Sequence, residues 1–203
     1  MPSDMSKTKR RVPQQERGER RVADLLEAAA AVIAEVGYDA ATMTEIAERA
    51  GASIGAMYQY FPNKEAVVRA LRAQYGDEME ARWTPLAAEA AALSVKQLVD
   101  RIFDVVIDFI DSRPAYLPLL SAPSIFKRDA AARNRLREHF AALFRQKSPA
   151  LTPEAAFRVA NVTLQVVKGL NPLYAEARPK DRQELVQEFK HVLTAYLSSR
   201  LRS

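Results

Sequence analysis

Apolar residues return every three or four positions along most of the 203-residue chain, and this periodicity constrains the fold more than any other feature of the sequence. Ala, Leu, Glu and Arg, which are strong helix formers, recur at this spacing throughout. Glycine is scarce, with six residues, and no segment shows the alternation of β-branched and polar residues that is typical of strands. The sequence therefore predicts an all-α protein.

The composition excludes several kinds of site. The chain has no cysteine, which excludes disulfides and thiolate metal sites, and two histidines are a thin basis for a zinc site. We therefore expect neither a metal nor another cofactor. No stretch reaches the about 18 consecutive apolar residues that a membrane span needs, and no apolar core follows the basic N-terminus. We expect a cytoplasmic protein that is neither secreted nor embedded in a membrane.

Basic residues are concentrated near the N-terminus. The whole chain has 30 Lys and Arg residues and 25 Asp and Glu residues, whereas residues 7–21 include seven basic residues and two acidic ones. We expect residues 1–16 to form a flexible basic arm that tracks phosphate groups. The alternative is a solvated tail that keeps the protein in solution, and for the first dozen residues both interpretations stay open.

Local signals divide the next 45 or so residues into three helices, an approximate span because boundaries read from sequence are loose. A first helix over residues 17–36 ends at Gly37, as helices commonly end at glycine. Thr42 and Glu45 have the spacing of a capping box, which begins a short second helix. Gly51 supplies the left-handed backbone of a tight turn, and Ser53 can cap a third helix over residues 54–61.

The second and third helices have the spacing of a helix-turn-helix, because a short turn that contains glycine lets two helices cross steeply. Met57 and Phe61 can pack inward against Ile46. This leaves an uncharged face exposed, which consists of Ser53, Ile54, Gly55, Ala56, Tyr58, Gln59 and Tyr60. A helix of this length fits the major groove of DNA. The alternative is that its aromatic residues anchor an ordinary helical bundle.

The residue types on this face suit contacts with DNA. Gln59 can read an adenine edge, and Ile54 or Ala56 can touch a thymine methyl group. At Gly55 nothing protrudes from Cα, so the backbone can approach the sugar-phosphate chain. The tyrosine hydroxyls can hold phosphates, and Lys64, just past the third helix, adds a point charge directed at the same backbone.

The run TMTEIAERAGASIGAMYQYFPNKE, residues 42–65, resembles the DNA-binding module of TetR-type transcriptional regulators. The resemblance covers residues 17–71, about a quarter of the chain, with a general likeness in the order of the later helices. It implies phosphate contacts by Tyr58, Tyr60 and Lys64, groove contacts by Thr44 and Gln59, and a position near the DNA backbone for Thr42. The run departs from the commonest pattern at Ile54, where a polar residue is frequent, and at Ala56, where threonine is frequent.

These observations predict an N-terminal three-helix helix-turn-helix DNA-binding domain over residues 17–63 and a larger helical ligand-binding and dimerisation domain over residues 64–203. Pro85 is expected to interrupt the fourth helix, and Asn171-Pro172 to end the penultimate one. The remaining helices are predicted over residues 95–112, 116–122, 129–147, 153–170 and from 181 to near the C-terminus.

The last two helices are the predicted dimer interface. Pairs from each subunit can form a four-helix bundle around a two-fold axis, and the corresponding helices of TetR-type proteins do so. A dimer presents two recognition helices about 34–36 Å apart, one turn of DNA, which fits a near-palindromic operator in double-stranded DNA. The residues assigned to this interface are Val159, Val166, Leu185, Phe189, Val192 and Tyr196. The alternative is that they pack on the core of their own domain.

The resemblance also implies a cavity in the middle helices for an unknown small-molecule effector. The candidate lining residues are Phe103, Ile107, Tyr116, Phe126, Asn161 and Gln165. Aromatic residues at helical spacing indicate packing more often than a pocket, so a closed core is the alternative. If Asn161 and Gln165 turn inward, they give an apolar cavity its orienting hydrogen bonds; otherwise they form part of a solvated line.

The predicted function is a sequence-specific regulator of transcription, a repressor released from its operator by a small, largely apolar ligand. One alternative is a DNA-binding regulator without an effector. The other is a helical enzyme, but the sequence shows no convergent set of nucleophile, base and orienting group. His139 and His191 stand on separate helices in charged contexts, so we expect no catalytic residues.

Overall fold

A computed structural model of the protein describes residues 12–122 and 130–201. These residues form helices and no strand, which confirms the predicted all-α class. The helices are α1 (Val12–Ala40), α2 (Met43–Arg49), α3 (Ile54–Tyr60), α4 (Lys64–Glu89), α5 (Val95–Ser112), α6 (Tyr116–Ser121), α7 (Ala130–Lys147), α8 (Pro153–Glu176) and α9 (Arg182–Arg200). A 3₁₀ turn over Pro179–Asp181 precedes α9. No helix in the described ranges is long and apolar enough to cross a membrane.

The chain divides into two compact units. The first comprises Met1–Arg72 and Pro114–Phe126, and the second comprises Ala73–Arg113 and Lys127–Ser203. The contacts thus group α6 and the first turns of α4 with α1 to α3, whereas the sequence assigns everything after residue 63 to the C-terminal domain. The predicted boundary after residue 63 concerns domains that fold independently, and it stays a prediction. The predicted flexible arm over residues 1–16 is wrong for residues 12–16, which form the first turns of α1, and residues 1–11 lie outside the described residues.

The core of the first unit is built from one face of each of its helices. The spacing of apolar residues places them on these faces, and their burial is what stabilises helices as short as α2 and α3. The fully buried side chains include Leu25, Ile33, Ile46, Met57, Val67, Val68 and Leu71. Gly37 adopts a φ of 79° in the last turn of α1, as expected for a glycine at a helix end.

Arg72 joins α6 to α4 inside the first unit. Its guanidinium donates to the main-chain oxygens of Leu119 and Ala122, at the C-terminal end of α6. A cation is favourable there because unpaired carbonyls give a helix C-terminus partial negative charge. α6 also packs against α1, and Leu119 is fully buried.

Two helices continue through prolines that were predicted to end them. α4 runs through Pro85 to Glu89, and α8 runs through Pro172 to Glu176, so both predicted ends are wrong. A proline inside a helix costs about 3 kcal/mol, whereas burying one large apolar side chain returns about 1.5–3 kcal/mol. Leu86 and Ala90 are buried beyond Pro85, and Tyr174 is buried beyond Pro172, which offsets the cost.

In the second unit, α5 is the most apolar helix and packs against α9. Ser94 and Gln97 form the predicted capping box at its start. Lys190 of α9 is mostly buried and bridges Asp100 and Asp104 of α5, at 3.3 and 3.1 Å from their carboxylate oxygens. Hydrogen bonds from Lys96 first, and then from Lys190, hold the pKa of Asp100 below its usual value. This network fixes the register of α9 on α5.

Candidate nucleic-acid interface

The start of α2 is fixed by the capping box that the sequence predicts. The main-chain amide of Thr42 donates to the Glu45 carboxylate over 3.0 Å, and the Glu45 amide donates to the Thr42 hydroxyl oxygen over 3.2 Å. The Thr42 hydroxyl also donates to the same carboxylate, over 2.7 Å. The single proton of the hydroxyl is thus used within the protein, so the hydroxyl cannot also donate to a phosphate.

The turn between α2 and α3 is closed by main-chain hydrogen bonds. Gly51 takes a φ of 58°, a conformation that L side chains rarely adopt, and the Ala52 amide donates to the Ala47 carbonyl over 2.8 Å. Arg21 of α1 donates to the carbonyls of Ala50 and Gly51, at 3.4 and 3.3 Å. The turn is therefore held both internally and from the first helix.

A second tie between α1 and α2 was missed by sequence reasoning. Arg49 donates to both carboxylate oxygens of Glu35, over 2.8 and 2.7 Å. The hydrogen bond from Arg49 lowers the pKa of Glu35. The two residues are 14 positions apart on different helices, so no local spacing could reveal the pair. Its bidentate geometry orients α2 on α1.

α3 begins at Ser53, whose side-chain oxygen accepts a hydrogen bond from the Ala56 amide over 3.2 Å. Met57 and Phe61 are buried and face the core beside Ile46, as predicted. These contacts fix the rotation of α3 about its own axis, because the two residues are four positions apart and lie on one face.

The opposite face of α3 is exposed and uncharged. The exposed fractions are 51% for Tyr58, 41% for Ile54 and 39% for Tyr60. Ser53, Gly55 and Gln59 are also exposed, whereas Ala56 is half-buried; Thr44, on α2, is exposed too. We call the set Ser53, Ile54, Gly55, Ala56, Tyr58, Gln59 and Tyr60 the reading face. Nothing lies within 4 Å of the place where a Gly55 Cβ would be, so the helix surface there is open.

Lys64 has a structural role that the sequence does not suggest. Its ammonium donates to the main-chain carbonyls of Tyr38, Asp39 and Ala41 over 2.8, 3.0 and 2.9 Å. It also lies 4.5 Å from the centre of the Tyr38 ring. An ammonium has three protons, so these bonds use all of them and compete with the predicted phosphate contact. Lys64 instead ties the start of α4 to the end of α1.

Replacing Lys64 by Met keeps the stem and removes the ammonium, and we expect the melting temperature to fall. Hydrogen bonds to a charged group contribute about 1.5–3 kcal/mol, which corresponds to about 3–10 °C for a protein of this size. Thermal unfolding followed by circular dichroism measures the change. Lys180→Met is the control, because Lys180 is an exposed lysine in the 3₁₀ turn that precedes α9. Equal melting temperatures for the two variants would contradict the structural role.

The predicted dimer residues separate into two groups. Val192 is 56% exposed, and Val166, Leu185, Phe189 and Tyr196 are half-buried. Val159 is only 4% exposed, so its side chain belongs to the core of its own subunit and that assignment is corrected. Sequence reasoning missed Val162 and Leu173, which are exposed on α8. Of the two α8 residues assigned to the interface from the sequence, only Val159 is buried, whereas Val166 is half-buried.

The predicted effector residues do not form one cluster. Phe103 is fully buried, and its ring centre lies 6.4 Å from that of Phe189, so it is a packing residue. Gln165 is exposed and does not turn inward, because it lies on the outer side of α8; Asn161 and Ile107 are half-buried. Tyr116 belongs to the first unit and the others named here to the second. Phe126 lies outside the described residues.

The two short helices α2 and α3, the closed turn between them and the exposed uncharged face are the features of a helix-turn-helix protein. Comparison with known families supports this class along the chain. Residues 25–71 match the family described as bacterial regulatory proteins, tetR family. Residues 94–197, just over half of the chain, match the tetracyclin repressor-like C-terminal domain. The chain therefore belongs to the TetR family of transcriptional regulators.

Curated relatives agree with this assignment. The chain is 30% identical over 133 residues to the HTH-type transcriptional regulator BetI of Cronobacter sakazakii, a match that covers 62% of this chain. The match spans 66% of the relative, just under two thirds of its length. BetI of Escherichia coli is 29% identical over the same length.

Solved structures share the fold. A TetR-family transcriptional regulator from Streptomyces coelicolor superposes with a TM-score of 0.67 at 22% identity, covering 89% of this chain and 99% of its own. A TetR variant from Acinetobacter baumannii in complex with minocycline superposes with a TM-score of 0.60 at 18% identity, covering 88% and 96%. At such identities the likeness extends to the fold alone.

Proposed function

We propose that this protein is a dimeric repressor that binds a near-palindromic operator and leaves it when a small, largely apolar ligand binds. The observation that carries the proposal is the reading face, on which three large side chains are exposed without any charge. A helix end that bound DNA by charge alone would carry Lys and Arg instead. The proteins that the chain resembles are regulators of transcription, which also supports activity in the cytoplasm.

The proposed contacts divide by chemistry. Gln59 reads a base edge, and Ile54 or Ala56 touches a thymine methyl group, since these groups carry sequence information in the major groove. Tyr58, Tyr60 and the Ser53 hydroxyl proton hold phosphates and fix the register of the helix. Thr44 lies on the same exposed side at the start of α2 and contributes a further groove contact.

The proposed dimer interface consists of two parallel stripes of apolar residues, which we call the bundle face. Its members on α8 are Val162, Val166, Gly169 and Leu173, and those on α9 are Leu185, Phe189, Val192 and Tyr196. Both stripes advance by steps of four, three and four, the spacing of antiparallel helix bundles. The stripes meet where the Phe189 ring lies 3.5 Å from the place of a Gly169 Cβ. A second copy of this face would complete a four-helix bundle.

Release by an effector rests on the family and on the apolar second unit. The structural neighbour from Acinetobacter baumannii was solved with minocycline, so this fold can hold a small molecule. A ligand can bind more tightly to a conformation of the dimer whose two recognition helices are poorly spaced for DNA. It then lowers the affinity for DNA by up to the ratio of its own affinities for the two conformations. A regulator without an effector is the alternative, and the experiment below separates the two.

A gel-shift titration against the DNA that flanks the protein's own gene tests the proposal. We expect specific binding that weakens as salt rises, and a Gln59→Ala variant whose order of preference among base-substituted sites differs from that of the parent. Gln146→Ala, which changes an exposed glutamine on α7, is the control and should leave the order unchanged. Equal affinity of the parent for all sequences would refute sequence-specific binding.

The effector is tested on the same complex. Small-molecule fractions from the host cell are added to the protein bound to its operator. Release by one fraction, with no effect of the others, supports an effector. Undiminished binding with every fraction would favour the regulator that works without one.

A further inference from the structure

A groove of about 440 Å³ opens on the surface of the second unit. It lies between the middle of α5, the end of α8 and the first turns of α9. Its volume falls in the range of small-molecule sites, which is about 300–1,000 Å³. The side chains used below are Asp108, Ile107, Tyr174, Arg182, Gln183 and Val186.

The groove presents a cation without an acidic partner. The Arg182 guanidinium carbon lies 4.8 Å from the centre of the Tyr174 ring, so the side chain rests on an aromatic face. Within the described part of the chain Arg182 forms no ion pair or hydrogen bond, and its Nε is buried without an acceptor. A guanidinium held in this way is pre-positioned to take a carboxylate through its terminal nitrogens.

The opposite wall presents an anion without a basic partner. Asp108 of α5 is exposed and pairs with no basic group of the described residues. Its neighbour one turn earlier, Asp104, differs because it is paired with Lys190 at 3.1 Å. The charge of Asp108 is therefore available to a ligand, whereas that of Asp104 is largely satisfied.

The floor of the groove combines apolar surface with one polar atom. Ile107 is half-buried and Val186 is buried, so both present hydrocarbon to the opening. Tyr174 is only 6% exposed, yet it lines the groove, and its hydroxyl forms no hydrogen bond with any described residue. The hydroxyl oxygen itself is not buried, so it can form a hydrogen bond with a molecule in the groove.

We propose that this groove binds a small zwitterion, namely a free α-amino acid with an aliphatic side chain. Its carboxylate pairs with Arg182 and accepts from the Tyr174 hydroxyl or the Gln183 amide. Its ammonium faces Asp108, and its side chain covers Ile107 and Val186. Because Arg182 is positive and Asp108 is negative, the groove favours a molecule with both a carboxylate and an ammonium over a molecule with only one of them.

Most of this site lies away from the bundle face. Successive residues of a helix are about 100° apart, so on α9 Gln183 and Val186 lie about a quarter turn or more from the mean direction of positions 185, 189, 192 and 196. Arg182 lies seven positions before Phe189 and borders the N-terminal end of the bundle face. Dimerisation through the bundle face therefore leaves the Gln183 and Val186 side of α9 open. The inference does not depend on DNA binding, and it is tested without DNA.

Isothermal titration calorimetry on the full chain tests the proposal with three probes of one shape. L-Leucine carries both charges, isopentylamine only the ammonium, and isocaproate only the carboxylate. We expect leucine to bind and each single-charge analogue to bind at least about threefold more weakly, a ratio within the range for one exposed ion pair. The proposal would be overturned if leucine does not bind, or if it binds no more tightly than one of the two analogues.

Variants locate the site. Arg182→Gln should weaken leucine at least about tenfold and leave isopentylamine unchanged, because only the carboxylate contact is lost. Asp108→Asn should weaken leucine about threefold and leave isocaproate unchanged. Arg178→Gln and Asp111→Asn are the controls, since Arg178 is exposed just before the 3₁₀ turn, Asp111 is exposed on α5, and neither residue lines the groove. Equal weakening by controls and test variants, at unchanged melting temperature, would place the ligand elsewhere and refute the assignment.

Discussion

Replacing Val192 by Glu is expected to convert the protein into a monomer. Val192 is the most exposed large apolar side chain of the bundle face, at 56%, and lies between Phe189 and Tyr196 along the helix. In a two-fold interface each substitution occurs twice, so two carboxylates would be buried without partners at a cost of several kcal/mol. Sedimentation velocity or light scattering gives the mass directly.

The same substitution should weaken operator binding at least about 100-fold, because a monomer reads one half-site and loses the contacts of the second. Val36→Glu is the matched control: Val36 is 47% exposed but belongs to α1 of the first unit, whereas the bundle face belongs to the second. That variant should remain a dimer. A Val192→Glu protein that sediments as a dimer would show that the bundle face is not the interface.

Replacing Gly55 by Leu should abolish operator binding while leaving the protein folded. A Cβ at this position meets nothing within 4 Å beyond its own helix backbone and chain neighbours, and Gly55 is exposed, so a larger side chain can extend into solvent. Helical glycine is also about 1 kcal/mol less favourable than alanine, so we expect no loss of stability. On DNA, however, the added side chain would hold the backbone of α3 away from the groove. Losing two contacts of about 1–3 kcal/mol each lowers the affinity at least about 30-fold.

Two further variants make this result interpretable. Gly18→Leu changes a glycine of α1 that likewise has no neighbour within 4 Å, and it should alter stability in the same direction while largely retaining DNA binding. Gly55→Ala adds a single methyl group and should fall between the parent and Gly55→Leu in a fluorescence anisotropy titration. Undiminished affinity of Gly55→Leu would mean that α3 does not enter the groove by this side.

The parts of the site that sequence could predict are those decided within one turn of helix. The capping box of Thr42 and Glu45, the left-handed Gly51 and the Ser53 cap each depend on residues three or four positions apart. These signals fix where α3 begins, and Met57 and Phe61 mark the side of it that faces the core. The exposed side of α3 is therefore the opposite one. Local chemistry of this kind is readable without knowledge of the rest of the chain.

The parts that sequence could not predict depend on distant partners. Pro85 and Pro172 stay inside helices because of burial on both sides of each, which only packing reveals. Lys64 meets carbonyls more than 20 positions away, and nothing in its local sequence distinguishes it from a lysine facing solvent. Val159 and Val162 are the same residue type on the same helix, so only the elements that pack against α8 decide which of the two is buried.

The association of α6 with α1 bears on how the protein can be dissected. A fragment ending at Arg72 would contain the whole reading face, yet it would lack Leu119 and the two carbonyls that hold the Arg72 guanidinium. Apolar surface on α1 and a partly desolvated cation would then face water. Chimeras that graft this operator-recognition segment onto another family member should therefore carry residues 114–122 with it, although more than 40 residues separate the two pieces in the gene product.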